Sequence, residues 1–207
     1  MRVIGGSARG RRLLAPRGMQ VRPTADRVKE ALFSIISSRE GSLDGKRVLD
    51  LCAGSGGLGI EALSRGASEA VFVDNHRQSA ALLYRNITLA GFGGQGRVII
   101  RDACAALKDL EGRGERFHLI FLDPPYRLGL AEKLLGALAG SRLLAEAALV
   151  IAEFATGETL PDSIGALREV DRRAYGDTTI AFFEAVQSSK FQVPGSNHNP
   201  SNLDLGI

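Results

Sequence analysis

The sequence predicts an α/β fold built on a mostly parallel sheet that ends in an antiparallel hairpin. Two patterns carry this expectation. From Lys46 onward, apolar runs of strand length alternate with stretches of helical period, which calls for a parallel sheet covered by helices on both faces. After Glu153 the alternation stops, and two strand-like segments, 167–175 and 178–186, are separated only by Gly176 and Asp177, a hairpin signal. Size agrees, since 207 residues with 44% hydrophobic and 24% charged side chains can bury one sizeable core.

The elements follow in order. Around Arg2-Val3-Ile4 and Arg12-Leu13-Leu14 lie two short extended pieces joined by a glycine-rich turn, which read as a hairpin arm. Thr24 offers a helix cap and Asp26 suits a first turn. Val28, Ala31, Leu32, Ile35 and Ile36 then recur at helical spacing, predicting a helix over 25–38. Strands are expected at 47–51, 70–73, 98–100, 119–122 and 148–153, with helices at 57–65, 77–90, 103–110 and 129–139. Residues 188–207 are rich in Ser, Asn, Pro and Gly without a period and read as a mobile tail. The expected division is thus an arm and helix over 1–40, an α/β unit over 41–187, and the tail.

Charge is unevenly spread. Residues 1–30 hold eight basic side chains against Asp26 and Glu30, an excess larger than the whole chain's +3, so the remainder is net acidic. Such a basic end suits a polyanion, although a plain solvated face is the simpler alternative for any basic run. Glycines and Pro16 interrupt the arginines, which argues against one long membrane-surface helix. No apolar run approaches the roughly 18 residues that cross a bilayer, and no signal-peptide pattern opens the chain, so a cytoplasmic protein is expected. The two cysteines, Cys52 and Cys104, form no C-x-x-C motif, so neither a disulfide framework nor a metal site is implied.

The first strand runs into Asp50-Leu51-Cys52-Ala53-Gly54-Ser55-Gly56-Gly57-Leu58-Gly59, and the second ends at Asp74, 20 residues beyond Gly54. Glycines let a strand turn sharply and a ligand approach the backbone, while an acid ending strand two can accept from two ribose hydroxyls. An adenosine-containing cofactor is therefore expected, with Ala53, Gly54, Ser55 and Gly56 around it. Asp50 decides which one. It stands where a dinucleotide would lay its phosphates, and a carboxylate within about 5 Å of them is repelled by several kcal/mol at intermediate dielectric. S-adenosylmethionine carries ammonium and sulfonium groups instead, and Asp50 suits its amino end. Asp102, with Ala103 after it, ends strand three and can accept from an adenine amino group; it can equally cap the following helix.

Strand four ends in Asp123-Pro124-Pro125-Tyr126. Two prolines remove backbone donors and hold the chain extended, so the Asp123 carboxylate and the Pro124 carbonyl can each accept one N–H of an exocyclic base amine. That orients the nitrogen's lone pair toward a methyl carbon. Tyr126 could stack on the extruded base, a contact worth roughly 1–3 kcal/mol.

Together, the loop from Asp50 to Gly59, Asp74 and Asp123-Pro124-Pro125-Tyr126 resemble the class I S-adenosylmethionine-dependent methyltransferases acting on base amines. The segments Arg2-Val3-Ile4-Gly5-Gly6, Arg9-Gly10-Arg11, Arg22-Pro23-Thr24 and Arg27-Val28-Lys29-Glu30-Ala31-Leu32-Phe33 narrow the similarity to the bacterial 16S rRNA (guanine-N2)-methyltransferase family. The resemblance covers residues 1–186. It implies a Rossmann-like, seven-stranded sheet and action on 16S rRNA in a small ribosomal subunit assembly particle; a monomer is expected. It places Asp50, Gly54, Gly56, Asp74 and Asp102 at the cofactor and residues 123–126 at the amine. Arg9, Arg11, Arg12, Arg22 and Arg27 would then hold phosphates.

Rival readings have weaker support. Neither cysteine follows a proline in an active-site loop, and both are expected to be buried. The glycine loop lacks the first glycine of a nucleophile elbow, His118 lies inside strand four, and His76 and His198 have no partner pattern. A nicotinamide-dependent dehydrogenase, a non-catalytic RNA-binding protein and a DNA adenine amino-methyltransferase remain as alternatives.

Overall fold

Apolar strands flanked by amphipathic helices can satisfy both their backbone polar groups and their hydrophobic faces by pairing side by side beneath those helices, and that is the arrangement found. A computed structural model describes residues 1–15, 23–125 and 129–186, apart from the side chains of 23–25. After the arm come α1 (Pro23–Glu40), β1 (Arg47–Leu51), α2 (Gly57–Ser64), β2 (Glu69–Asp74), α3 (Arg77–Ala90), β3 (Gly96–Ile100) and α4 (Ala103–Gly112). These are followed by β4 (Phe117–Leu122), α5 (Leu130–Ala139), β5 (Leu144–Ala155), β6 (Ser163–Ile164), β7 (Leu167–Tyr175) and β8 (Thr178–Ala185).

The strands form one sheet in the order β3-β2-β1-β4-β5-β8-β7-β6. Strands β1 to β5 pair in parallel, and β8, β7 and β6 add antiparallel neighbours. Chain order reverses between β1 and β4, the point where such sheets open a crevice at their carboxyl edge. The expected hairpin is present, with Gly176 at a φ of 64° in its turn. The expected count of seven strands is corrected to eight by β6, a two-residue edge strand on β7 that is too short to show alternation. Helix α1 begins at Pro23, so Thr24 lies in its first turn and is not its cap. Proline suits that first position because its missing N–H would be unpaired there anyway.

Helices α1 to α3 cover one face of the sheet over Phe72, Phe121, Ile151 and Phe182; α4 and α5 cover the other over Val73, Ile120, Val150 and Ala181. Phe33 of α1 meets Phe121 with ring centroids 5.8 Å apart. Each such buried side chain contributes about 1.5–3 kcal/mol.

The arm is part of this core. Arg2 bridges Arg12, Val3 and Leu13 donate to Arg11 and Met1 carbonyls, and Val3, Ala8 and Leu13 are buried with α1 and α2. Glu61 of α2 is fully buried and accepts from the N–H groups of Ile4 (2.8 Å) and Gly5 (2.7 Å). It also pairs with Lys29 at 3.2 Å and Arg65 at 2.9 Å.

Candidate active site

At the carboxyl end of four adjacent strands, the sheet face under α1 and α2 turns from apolar to acidic. Asp50 of β1, Asp74 ending β2, Asp123 following β4 and Glu153 of β5 each stand two residues beyond a core residue of that face, namely Val48, Phe72, Phe121 and Ile151. The register sets Asp74, Asp123 and Glu153 at one level, and Asp50, opposite Phe72 and Phe121, one step deeper on the same face.

Like charges this close repel, and burial withholds the water that would screen them. Asp50 is 1% exposed, and burial, with a further push from Asp74, raises it to about 7. The Gly59 N–H, donating to its Oδ2 at 2.9 Å, works against that rise. Solvent reaches Asp123 from the cavity, yet protein surrounds the rest of it. Burial, then the charges of Glu153 and Asp50, holds its carboxyl well above the usual carboxylate range. Cys52, between these acids, is only half-buried, which corrects the expectation of a buried thiol. Burial first, then Asp123, Asp74, Asp50 and Asp102, pushes that thiol up to about 12, the opposite of what a nucleophilic cysteine needs.

The loop after β1 is held from two sides. Asp74 accepts from the Gly54 N–H at 2.9 Å through one oxygen and from the His76 N–H at 2.8 Å through the other. Asn86 of α3, fully buried, donates to the Ser55 carbonyl at 2.8 Å and also bonds both backbone groups of Leu14 in the arm. A Cβ on Gly59 would meet the Phe72 ring at 2.3 Å, and one on Gly56, at a φ of 83°, would meet Leu83 at 2.3 Å. Gly59 lets α2 approach the sheet closely, and Gly56 lets the start of α2 approach α3.

Two cavities open along this edge and share Cys52 and Asp123. One, of about 640 Å³ beside α4, is lined by Asp74, His76, Asp102, Ala103, Pro124 and Pro125. The other, of about 600 Å³ beneath α1, takes in Lys29, Asp50, Gly54, Glu153, Tyr175 and Thr178. A shallower cleft of about 400 Å³ lies between the arm and α1, against Arg2, Arg9 and Arg27. Among the described residues, no group of three or more His, Cys, Asp or Glu side chains is placed to hold a metal ion. This edge suits a ligand that is cationic and carries hydroxyl groups; phosphates against the acid row would be repelled by several kcal/mol, on the order expected at intermediate dielectric.

Of the residues expected at the cofactor, Ala53, Gly54, Ser55 and Asp50 line the α1 cavity, and Asp74, Asp102 and Ala103 the α4 cavity. Asp102 also caps α4, accepting from the Ala105 N–H at 3.0 Å, which is the helix-cap reading of it. Gly56 faces the core. Asp123 joins the two cavities, with Pro124 and Pro125 on the α4 side. Tyr126 and Arg22 lie outside the described residues, as does the tail from 188. Of the arm's arginines, Arg9 and Arg27 share the cleft and Arg12 is exposed; Arg11 reaches back to the Leu89 carbonyl. Sequence reasoning missed Glu153 and Lys29 as cavity residues. Glu153 was findable by the rule that strand carboxyl ends line the crevice; Lys29 looked like one more charge on a solvated helix, whereas it is buried against Glu61.

The family described as Conserved hypothetical protein 95 matches residues 1–184. A Bacillus subtilis protein, YlbH, provisionally named an rRNA methyltransferase, is 39% identical over 184 residues, which cover 89% of this chain and 98% of its own. The Ribosomal RNA small subunit methyltransferase D of Escherichia coli is 36% identical over 161 residues, 78% of either chain. A solved structure of a hypothetical protein from Thermus thermophilus superposes with a TM-score of 0.74 at 33% identity, covering 88% of this chain and 98% of that one.

Proposed function

Since the chain belongs to the family described as Conserved hypothetical protein 95, and relatives of it are named rRNA methyltransferases, we propose that it methylates rRNA with S-adenosylmethionine as donor. The target in this reading is the exocyclic N2 amine of a guanine in 16S rRNA, presented in a small-subunit assembly particle to a cytoplasmic monomer. The observation that carries it is the group of four carboxylates at the crevice, with two prolines directly after Asp123. Negative charge held this close, at the cost of raised proton affinity, favours a cationic ligand.

The residues present fit that cofactor. Asp74 would hold the ribose hydroxyls, Asp102 and Ala103 the adenine, and Asp50 with Ala53, Gly54 and Ser55 the amino-acid end. When bound, S-adenosylmethionine supplies a methyl group on a cationic sulfur. Asp123 and the Pro124 carbonyl each accept one N–H of the target amine, which fixes the nitrogen and turns its lone pair toward the methyl carbon. Asp123 is then the nearest group to take the proton that the nitrogen must lose, and positioning with exclusion of water supplies most of the rate. Residues 1–40 dock the RNA and 41–187 carry the transfer. Arg9, Arg11, Arg12 and Arg27 have no ion pair among the described residues, which leaves them available to phosphates.

The test is to incubate the protein with labelled donor and small-subunit particles from cells lacking it, then to identify the modified nucleoside. N2-methylguanosine is expected; N6-methyladenine in DNA controls would favour the adenine enzyme instead. Asp123→Ala should reduce turnover by about 100-fold or more while donor affinity changes only a few-fold. Undiminished transfer would remove Asp123 from the amine site.

A further inference from the structure

Resting on the rRNA reading, we propose that the outer face of α3 and the strand of the arm beside it form one RNA-docking surface. On it Arg77 and Arg85 hold phosphates, next to Arg11 and Arg12 of the arm, and Tyr84 stacks on an unpaired base.

The two elements are fastened together. Arg11 donates to the Leu89 carbonyl at 3.4 Å, and a Cβ on Gly91 would meet its guanidinium at 2.7 Å. Further along the arm, the Asn86 side chain bonds both backbone groups of Leu14 at 2.8 and 3.0 Å. The second strand of the arm therefore runs beside the C-terminal half of α3. Away from the core, Arg77, Ala81, Tyr84, Arg85 and Thr88 are exposed at helical spacing, while Ala80, Leu83 and Ile87 are buried. Arg77 and Arg85 stand about 12 Å apart along the helix axis.

No acid interrupts this surface. Residues 1–25 and 75–101 contain neither Asp nor Glu. Asp74 and Asp102, which bound the second stretch, are turned to backbone N–H groups, of Gly54 and His76 in one case and of Ala105 in the other. Among the described residues Arg77 and Arg85 have no ion pair, and outside them the sequence holds a single acid, Asp204. Clustered guanidinium groups repel one another until a polyanion neutralises them. Tyr84, 51% exposed, presents a ring to solvent in the midst of these charges, the combination that binds unpaired nucleotides.

The face also leads to the crevice. His76, directly before α3, lines the cavity beside α4 together with Asp74 and Asp102. Acids inside the crevice repel phosphates and arginines outside attract them, so the RNA backbone is held along α3 while an uncharged base is free to enter.

The test is fluorescence anisotropy of a labelled RNA stem-loop, titrated with the full chain at several salt concentrations. Arg77→Gln with Arg85→Gln should weaken binding about 10-fold or more and lower the salt slope by about 1.4 to 1.8, the loss of two phosphate contacts. Lys108→Gln with Lys133→Gln removes the same charge from exposed positions of α4 and α5, on the other side of the sheet, and should change binding less than twofold. Equal weakening by the two pairs would mean that only net charge matters and overturns the proposal, as would no binding by the wild-type protein. Tyr84→Ala should weaken binding about 5-fold or more with the salt slope unchanged; an unaltered affinity removes the stacking. Should the arginine pair bind the stem-loop normally yet bind small-subunit particles weakly, the face meets a ribosomal protein and the RNA assignment falls. Wild-type binding through this face without methyl transfer would sink the enzymatic reading and leave the surface standing.

Discussion

At the residue scale, Cys52 shows how position overrides residue type. It sits at a φ of 62°, where side chains other than glycine are strained, and faces four aspartates. Its thiol is pushed up to about 12, so the thiolate fraction at neutral pH is depleted by roughly a thousandfold relative to a free thiol, partly offset by the greater nucleophilicity of a basic thiolate. Iodoacetamide at pH 7.5 should therefore alkylate Cys52 about 30- to 60-fold more slowly than a free thiol, as followed by peptide mass spectrometry. Labelling at the ordinary rate would mean that the carboxylates do not act on it. The motif in the sequence located Cys52 beside the glycines; its backbone strain and acidic surroundings were not legible, because Asp50, Asp74, Asp102 and Asp123 come from four separate segments.

At the scale of elements, the arm and the glycine loop after β1 are fastened to the same helices. Glu61 anchors the arm to α2, Ser64 accepts from the Ala8 N–H at 2.9 Å and donates to the Gly5 carbonyl at 2.6 Å, and Asn86 joins Leu14 to Ser55. Removing one partner of a buried ion pair leaves the other uncompensated. Glu61→Ala, which strands Lys29, should thus cost about 3–5 kcal/mol in urea unfolding. Trypsin should also cut more readily at Arg9, Arg11 and Arg12 once the arm is released. An unchanged unfolding midpoint would show that the arm is held elsewhere. The hairpin was readable from its two extended pieces and glycine turn, and α2 from its position after the loop. That the acid within α2 points inward was hidden, since its partners are arm backbone groups about 56 residues away.

For the whole molecule, the acid row sets how stability depends on pH. The folded chain keeps a proton on Asp50 between about pH 4 and 7, a range in which the unfolded chain has released it. Stability from this group therefore falls as pH rises through that window and levels off above about 7. Asp123 acts in the same direction. Glu115 opposes them at the acid end: burial pushes its carboxyl up, but Arg97 and Arg47 outweigh this and lower it, so its contribution is lost as pH falls through the depressed value. Ligand-free protein should melt at least ~3 °C higher at pH 5.5 than at pH 7.5, the equivalent of about 1 kcal/mol, by circular dichroism. Saturating S-adenosylmethionine should raise the melting temperature more at pH 7.5 than at 5.5; a flat profile would mean that Asp50 is ionised in the folded state. By itself the sequence determined the α/β alternation, the parallel-to-antiparallel change after Glu153, the glycine loop with Asp50 and Asp74, and the Asp123-Pro124-Pro125 turn. Each of these is a local pattern that backbone hydrogen bonding and side-chain periodicity impose within a few residues. Only the tertiary structure decided that four acids from four segments gather at one crevice, that Lys29 is buried with Glu61, and that the arm is fastened beside the glycine loop. Those features depend on strand order and register, through which residues far apart in the chain come to share one low-dielectric site and change one another's charge.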